Sequence, residues 1–445
     1  MDDEDDTPVD NARYRAVPSG RASRLGAFGK LAGGVAGSLI GEGARRLARG
    51  ERPQMRDLLL TPANARRLTD QLSHLRGAAM KLGQMISMDA GEFLPPELAE
   101  ILSALRSQAH RMPPAQLRDV LDAEWGKGWR TRFRRFNATP IAAASIGQVH
   151  HAILPDGREL AIKVQYPGVR ESIDSDVDNV ATLLRVSGLL PRELAIGPLL
   201  EEAKRQLHEE ADYLREAEQM RRYATMLDGD DRYLVPLPHD DLSTVRVLTM
   251  DFVAGEPIEA LETEPQDIRD RAMAELIDLV LRELFEFGVM QTDPNFANYR
   301  YRRETGQLIL LDFGAARDVE PSVADGYRRL LSAGLAEDRD AVRAAAVEAG
   351  FVGPAVVENH RDLLDRMIDI VLREMNREGP FDFGDRAFVG VLREQGMEMA
   401  SDRATWHIPP VETLFVQRKI SGTALLAARV KARVDIREMA RSYLG

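Results

Sequence analysis

The chain has no cysteine. Disulfide frameworks, thiolate metal sites and cysteine nucleophiles are excluded together. The absence fits a reducing compartment. Long apolar runs are missing too. The longest, Leu31 to Gly41, has eleven residues and is rich in glycine, whereas a spanning helix needs about 18 to 20. The opening Met1-Asp2-Asp3-Glu4-Asp5-Asp6 is the reverse of a positively charged secretory n-region, so no signal peptide is expected. Positive charge is in deficit: 59 Lys and Arg against 71 Asp and Glu leave a net charge of -12. That balance argues against nucleic acid as a partner. Eight histidines are scattered without zinc-type spacing. His150 and His151 fall on a predicted strand, face opposite sides and read as structural. What is left is a soluble or peripheral protein with a globular balance of 44% hydrophobic and 29% charged residues. Its length suits two or three domains.

Composition shifts divide the chain. Residues 1–20 read as a disordered acidic tail. In 21–50, Gly29, Gly33, Gly37 and Gly41 recur every four residues, flanked by Arg21, Arg24, Arg45, Arg46 and Arg49. On a helix those glycines line one face, which suits a partner helix, a second copy of the chain, or an anionic membrane. A glycine-rich linker is the plainer reading. Residues 51–135 read as a helical extension: Thr61-Pro62 is an N-cap with Pro at the first helical position, and Pro113-Pro114 opens a further short helix. The arginines 130, 132, 134 and 135 read as a solvated helix face or a contact for anionic lipid. From Phe136 the period becomes β-like. Residues 136–255 form a small antiparallel sheet with helices, and 256–445 are mainly helical.

Four elements in this frame carry chemistry. Lys163, in Leu160-Ala161-Ile162-Lys163-Val164, follows the V-A-I-K pattern whose lysine contacts α/β-phosphates. Acids on a downstream helix, Glu209 to Ala217, can hold it. Asp293 and Asn298, five apart in Gln291 to Asn298, match the catalytic loop D-x-x-x-x-N, although the preceding His and Arg are absent. Asp312-Phe313-Gly314 follows the predicted buried strand Leu308 to Leu311, fourteen residues beyond Asn298. A carboxylate there can hold Mg²⁺ on the β/γ-phosphates. Taken singly, each has an ordinary explanation: a solvated lysine on an edge strand, an acidic helix face, an Asn/Asp turn, a chance triplet. All four in this order, each on the required element, point to a nucleotide site for phosphoryl transfer. The glycine-rich phosphate loop is missing. Its place holds Ala142, Ala143, Ala144, Ser145, Ile146 and Gly147. Alanine disfavours positive φ and adds methyls, so nucleotide geometry should differ from that of an ordinary kinase.

With these residues in view the sequence resembles the UbiB/ADCK-like atypical kinases associated with coenzyme Q biosynthesis, over about residues 22–442. The most specific marker is Lys81-Leu82-Gly83-Gln84, the K-x-G-Q motif of that family. Glu210-Ala211-Asp212 matches its E-x-D motif, and Ala142 to Gly147 its alanine-rich loop. Gln291 to Asn295 and Lys163 to Val169 lie closer to the mitochondrial-type members. The resemblance implies an α+β, bilobal protein-kinase-like fold, with a helical K-x-G-Q extension over the active-site cleft and Lys81 reaching toward Glu210. It implies ATP and Mg²⁺ as cofactors, with Asp293, Lys163 and Glu216 catalytic, Glu216 being the acid paired to Lys163, and Asn298 and Asp312 on the metal. Lys81, Gly83, Gln84, Glu210 and Asp212 would be regulatory.

The function expected is a Mg²⁺-dependent ATPase supporting ubiquinone biosynthesis at a membrane surface. A small-molecule or lipid kinase and a nucleotide-gated scaffold are the alternatives. Expected partners are quinone-precursor lipids or an anionic membrane, ubiquinone-biosynthesis enzymes and a second copy through residues 25–49. The expected location is cytoplasmic, peripheral on the inner face of a bacterial membrane.

Overall fold

A computed structural model describes residues 77, 78, 81, 111–186, 197–400, 402, 407 and 409–444. The acidic tail, the glycine ladder and most of the helical extension before residue 111 lie outside the described residues, as do Gly83 and Gln84. Two compact units are present. The first comprises described residues up to Glu218 with Leu237–Phe252, and the second Gln219–Pro236 with those from Val253 on.

In the first unit α1 (Pro114–Trp125) starts on its proline and buries Leu117, Val120, Leu121 and Trp125. Its apolar stripe packs with Trp129, Phe133, Leu160, Ile162 and Val164 in one core. Each such aliphatic side chain contributes about 1.5–3 kcal/mol by leaving water. The arginines after Trp129 are exposed as expected, but not on a regular helix. Trp129–Arg132 is a 3₁₀ turn, and Arg135–Phe136 is already strand β1. The aromatic residues between them fill the core, with Trp129 and Phe136 edge-on at 4.8 Å. Burying those rings is what breaks the helical period.

The sheet continues with β2 (Ala142–Ala143), β3 (Gly147–Ile153) and β4 (Glu159–Gln165). The β3–β4 turn has Gly157 at φ +93° and the Asp156 carboxylate accepting from Arg158 N at 3.0 Å. Helices α2 (Val169–Val186), α3 (Gly197–Glu210) and α4 (Tyr213–Met226) follow. The strand order is β1-β3-β4-β6, with β2 on β3 and β6 at Val247–Asp251. The short strand β5 (Tyr233–Leu234) is not part of it. It belongs to the second unit, within Gln219–Pro236, and pairs there in parallel with Leu308–Ile309, where the Tyr233 hydroxyl donates to Glu275 O at 2.6 Å.

His150 and His151 do face opposite sides of β3. His151 meets the Glu159 carboxylate at 2.7 Å. His150 is fully buried, 2.9 Å from Asn137 O and 2.8 Å from Gln148 Nε2. Gln148 Oε1 in turn accepts from Met112 N at 2.9 Å, tying the segment before α1 to the sheet. Burial pushes the His150 pKa down to about 4. A histidine held neutral in the fold but titrating near 6.5 when unfolded stabilises the protein above pH 6.5, and that stability is lost as pH falls toward 4. The expected loss is about 3 kcal/mol. Urea denaturation at pH 7.5 and 4.5 should show it, and His150→Gln should flatten the dependence. An unchanged slope in that variant would remove His150 as its source.

From Val253 on, the second unit continues with β7 (Glu256–Pro257) and α5 (Gln266–Arg282). Residues Glu283–Phe287 continue α5 as a π-turn, closed by Gly288 at φ +60°. Next come β8 (Val289–Gln291), β9 (Tyr299–Arg302), β10 (Gln307–Leu310) and β11 (Ala316–Asp318). They form a β5-β10-β9-β7 sheet and a β8–β11 ribbon. The remainder is mainly helical: α6 (Pro321–Leu335), α7 (Arg339–Glu348), α8 (Pro354–Met375), α9 (Ala387–Ala400), α10 (Val411–Val430) and α11 (Ile436–Ser442). Among the described residues no helix is long and apolar enough to cross a membrane.

Candidate active site

Lys163 owes its direction to alternation along β4. Leu160, Ile162 and Val164 turn into the core, so Lys163 leaves by the other face. The strand is not an edge strand, because β3 and β6 flank it. That removes the solvated-lysine reading. Lys163 is 8% exposed, with Nζ 2.9 and 3.0 Å from the two carboxylate oxygens of Glu216 on α4. Glu216 is wholly buried. The ammonium also lies 5.1 Å from the centre of the Tyr213 ring, one turn before Glu216. Spacing alone offered several acids for this lysine; the resemblance named Glu216, and Glu216 is the acid that packing brings to it.

The alanine-rich segment is a tight hairpin. Ala144 N donates to Gly147 O at 2.9 Å, and no residue in it takes positive φ. Ala142 and Ala143 are exposed, and Ile146 is buried. Gly147 is needed for close approach: an added Cβ would stand 2.4 Å from Val164 O. Gly77, Ala78 and Lys81 are helical. A Cβ on Gly77 would lie 3.1 Å from Ile146 Cγ2 and 3.4 Å from Ser145 O, so this helix lies directly on the hairpin tip. Lys81 is buried and ion-paired with Glu210 Oε1. The other oxygen, Oε2, accepts from Ser145 Oγ at 3.1 Å. One carboxylate thus joins the helix to the hairpin. Asp212 takes a different place: its side chain accepts from Arg215 N at 3.2 Å, at the start of α4.

In the second unit backbone pairing sews two loops together. Gln291 pairs Ala316. The Thr292 amide and hydroxyl both donate to Ala315 O, at 3.2 and 2.8 Å. Leu311 N donates to Asn298 O at 3.0 Å. Asp293, Asn298 and Asp312 therefore arise from one compact cluster. Asn298 Nδ2 donates to Asp293 O at 3.2 Å, which commits its nitrogen and fixes which end of the carboxamide can serve a cation. Asp312 Oδ1 accepts from Gly314 N at 3.0 Å. Phe313 is buried and its ring meets Tyr223 at 4.8 Å.

Among the described residues no group of three or more His, Asp or Glu side chains is placed to hold a metal. One carboxylate and one carboxamide nevertheless suit Mg²⁺, which keeps waters and takes substrate phosphates to complete its octahedron.

Sequence reasoning passed over Glu283, Lys419 and Gly422, which pack against this loop. Glu283, in Leu279 to Met290, and Lys419, in Val411 to Val430, are charges among others in mixed stretches, and Gly422 carries no signal at all.

An antiparallel sheet carrying an ion-paired lysine, followed by a mainly helical unit with D-x-x-x-x-N and D-F-G loops, defines the kinase-like class. Residues 104–346 match the family model of the ABC1 atypical kinase-like domain, and the chain belongs to that family, the UbiB/ADCK group of atypical kinases. It is 38% identical over 434 residues to "Atypical kinase COQ8B, mitochondrial" of Danio rerio, covering 97% of this chain and 69% of that protein. It is 36% identical over 430 residues to "Atypical kinase COQ8, mitochondrial" of Saccharomyces cerevisiae, covering 96% and 85%. The likeness to mitochondrial-type members holds. Among solved structures it is similar to Rv3197 of Mycobacterium tuberculosis in its erythromycin complex, with a TM-score of 0.60 and 26% identity over 86% of this chain and 96% of that one.

Proposed function

We propose that the chain binds Mg²⁺-ATP, turns over its γ-phosphoryl group and uses that turnover in support of coenzyme Q biosynthesis. The observation that carries the reading is the buried Lys163–Glu216 pair at 2.9 Å, because a lysine held this way on a central strand has a task beyond solvation. Lys163 would neutralise phosphate charge, and Glu216 would hold its direction. Asp293 would orient the attacking water or hydroxyl and take up its proton. Asn298 and Asp312 would hold Mg²⁺, which when bound supplies charge neutralisation on the phosphates. Little covalent work falls to the protein; positioning and charge do most of it.

The hairpin supports a reading of the acceptor class. Its tip is occupied by the helix of Gly77 and Lys81, which favours water, a lipid or a small molecule over a protein substrate. A membrane surface and quinone-precursor lipids are the proposed setting. ATP hydrolysis by the purified protein with Mg²⁺ tests the reading, with and without anionic liposomes, beside Asp293→Asn. Turnover that rises with liposomes and falls at least about 100-fold in the variant supports it. Label from γ-ATP in a lipid extract would make the protein a lipid kinase. Nucleotide binding with no turnover under any condition would leave a nucleotide-gated scaffold.

A further inference from the structure

A buried charge pair that the proposed chemistry does not use stands behind the Asp293–Asn298 loop. Glu283 opens the π-turn after α5 and is wholly buried. Its Oε1 accepts from the Tyr223 hydroxyl at 2.7 Å and from Gln291 N at 3.1 Å. Lys419 of α10 is 1% exposed, with Nζ 3.4 Å from Glu283 Oε2. It donates to the Tyr299 hydroxyl at 2.7 Å and approaches Gln291 Oε1 at 3.4 Å. Burial alone would push the Lys419 pKa down, but Glu283 and Tyr299 outweigh it and raise it. The ammonium is thus charged in place.

Gln291 and Tyr299 are the residues that bracket Asp293 to Asn298. One helical turn beyond Lys419, on the same face of α10, Gly422 meets the loop itself. A Cβ there would fall 2.0 Å from Pro294 Cβ. One helix face therefore touches both ends and the middle of the loop. The Tyr223 ring that serves Glu283 also packs on Phe313, so the network reaches the second loop. A buried ion pair is a poor way to gain stability, since apolar side chains of similar volume usually do as well. Its value is directional. A π-turn at such a place is a frequent mark of a functional site.

We infer that Lys419 and Glu283 are positioning residues that, together with Gly422, set the geometry of the Asp293–Asn298 loop from α10. The inference rests on the phosphoryl-transfer reading for its consequence, not for its geometry. Three variants of the full chain test it: Lys419→Met, Lys419→Met with Glu283→Gln, and Gly422→Ala. Each is followed by Tm, by ATP turnover and by amide exchange over residues 289–299. The single charge variant should lower Tm, because Glu283 is left buried without its cation. The double variant should recover most of that loss yet keep kcat down about 100-fold, with KM for ATP within about threefold of wild type and faster loop exchange. Gly422→Ala removes no hydrogen bond and should lower kcat in the same way, so the proposal stays testable even where the lysine variants fold poorly. A double variant with recovered Tm, wild-type kcat and wild-type loop exchange would overturn the proposal, as would an unaffected Gly422→Ala. If the wild-type protein shows no turnover, the phosphoryl-transfer reading fails by itself. The exchange measurement then decides alone: faster exchange in the double variant keeps the positioning role, and unchanged exchange ends it.

Discussion

Glu216→Ala should destabilise the first unit by about 3–5 kcal/mol and abolish nucleotide binding at the same time. The reason is the depth of the pair. Glu216 is fully buried, and Lys163, at 2.9 and 3.0 Å from its oxygens, is nearly so. Truncating the acid leaves an ammonium without its counter-charge in a low-dielectric setting. Adding Lys163→Met removes that ammonium, so the double variant should regain most of the lost stability while nucleotide binding stays absent. Denaturation in urea and titration with ATP separate the two effects. A single variant with a wild-type midpoint would mean that the pair is solvated. A double variant that still binds ATP would remove Lys163 from the phosphate site.

Asp312→Asn should act on function without touching the fold. Asparagine keeps the Oδ1 that accepts from Gly314 N at 3.0 Å, so the turn after β10 is retained. What disappears is the negative charge that favours a divalent cation. The charge stabilisation at such a site is worth several kcal/mol, so ATP affinity in Mg²⁺ should fall about 100-fold or more. It should then equal the affinity without metal. Calorimetric titration with and without Mg²⁺ reads this directly, with Tm as the control. Unchanged Mg²⁺-dependent affinity would exclude Asp312 as a metal ligand.

Much of this protein was legible in one dimension. The β4 alternation around Lys163, the Asp156-Gly157 turn and the strand before Asp312 are local patterns, decided by side-chain periodicity and by turn chemistry. The spacing of Asp293, Asn298 and Asp312 is likewise local, and the K-x-G-Q and E-x-D motifs gave the family before any coordinates. The arginine stretch after Trp129 misled in one respect: its charge placed it correctly at the surface, but the rings beside it broke the helix. The sheet that the short β5 joins was not legible, because two residues carry too little pattern to say so.

Other features depend on separations that periodicity does not encode. Which of several acids meets Lys163 depends on how α4 lies against β4, 53 residues away. The hold of Lys81 on Glu210 spans 129 residues, and that of Lys419 on Gln291 spans 128. A buried lysine is an anomaly in sequence and a partner only in three dimensions, where burial strengthens the attraction between charges and makes each unpaired one costly. The chain by itself therefore determined the elements, the order of the motifs and the chemical types at the site. Residue spacing left open which acid pairs with which lysine, and the family resemblance named Glu216 and Glu210; that α10 supports the loop bearing Asp293 was decided by tertiary packing alone, because that choice is made by desolvation and close contact between segments distant in the chain.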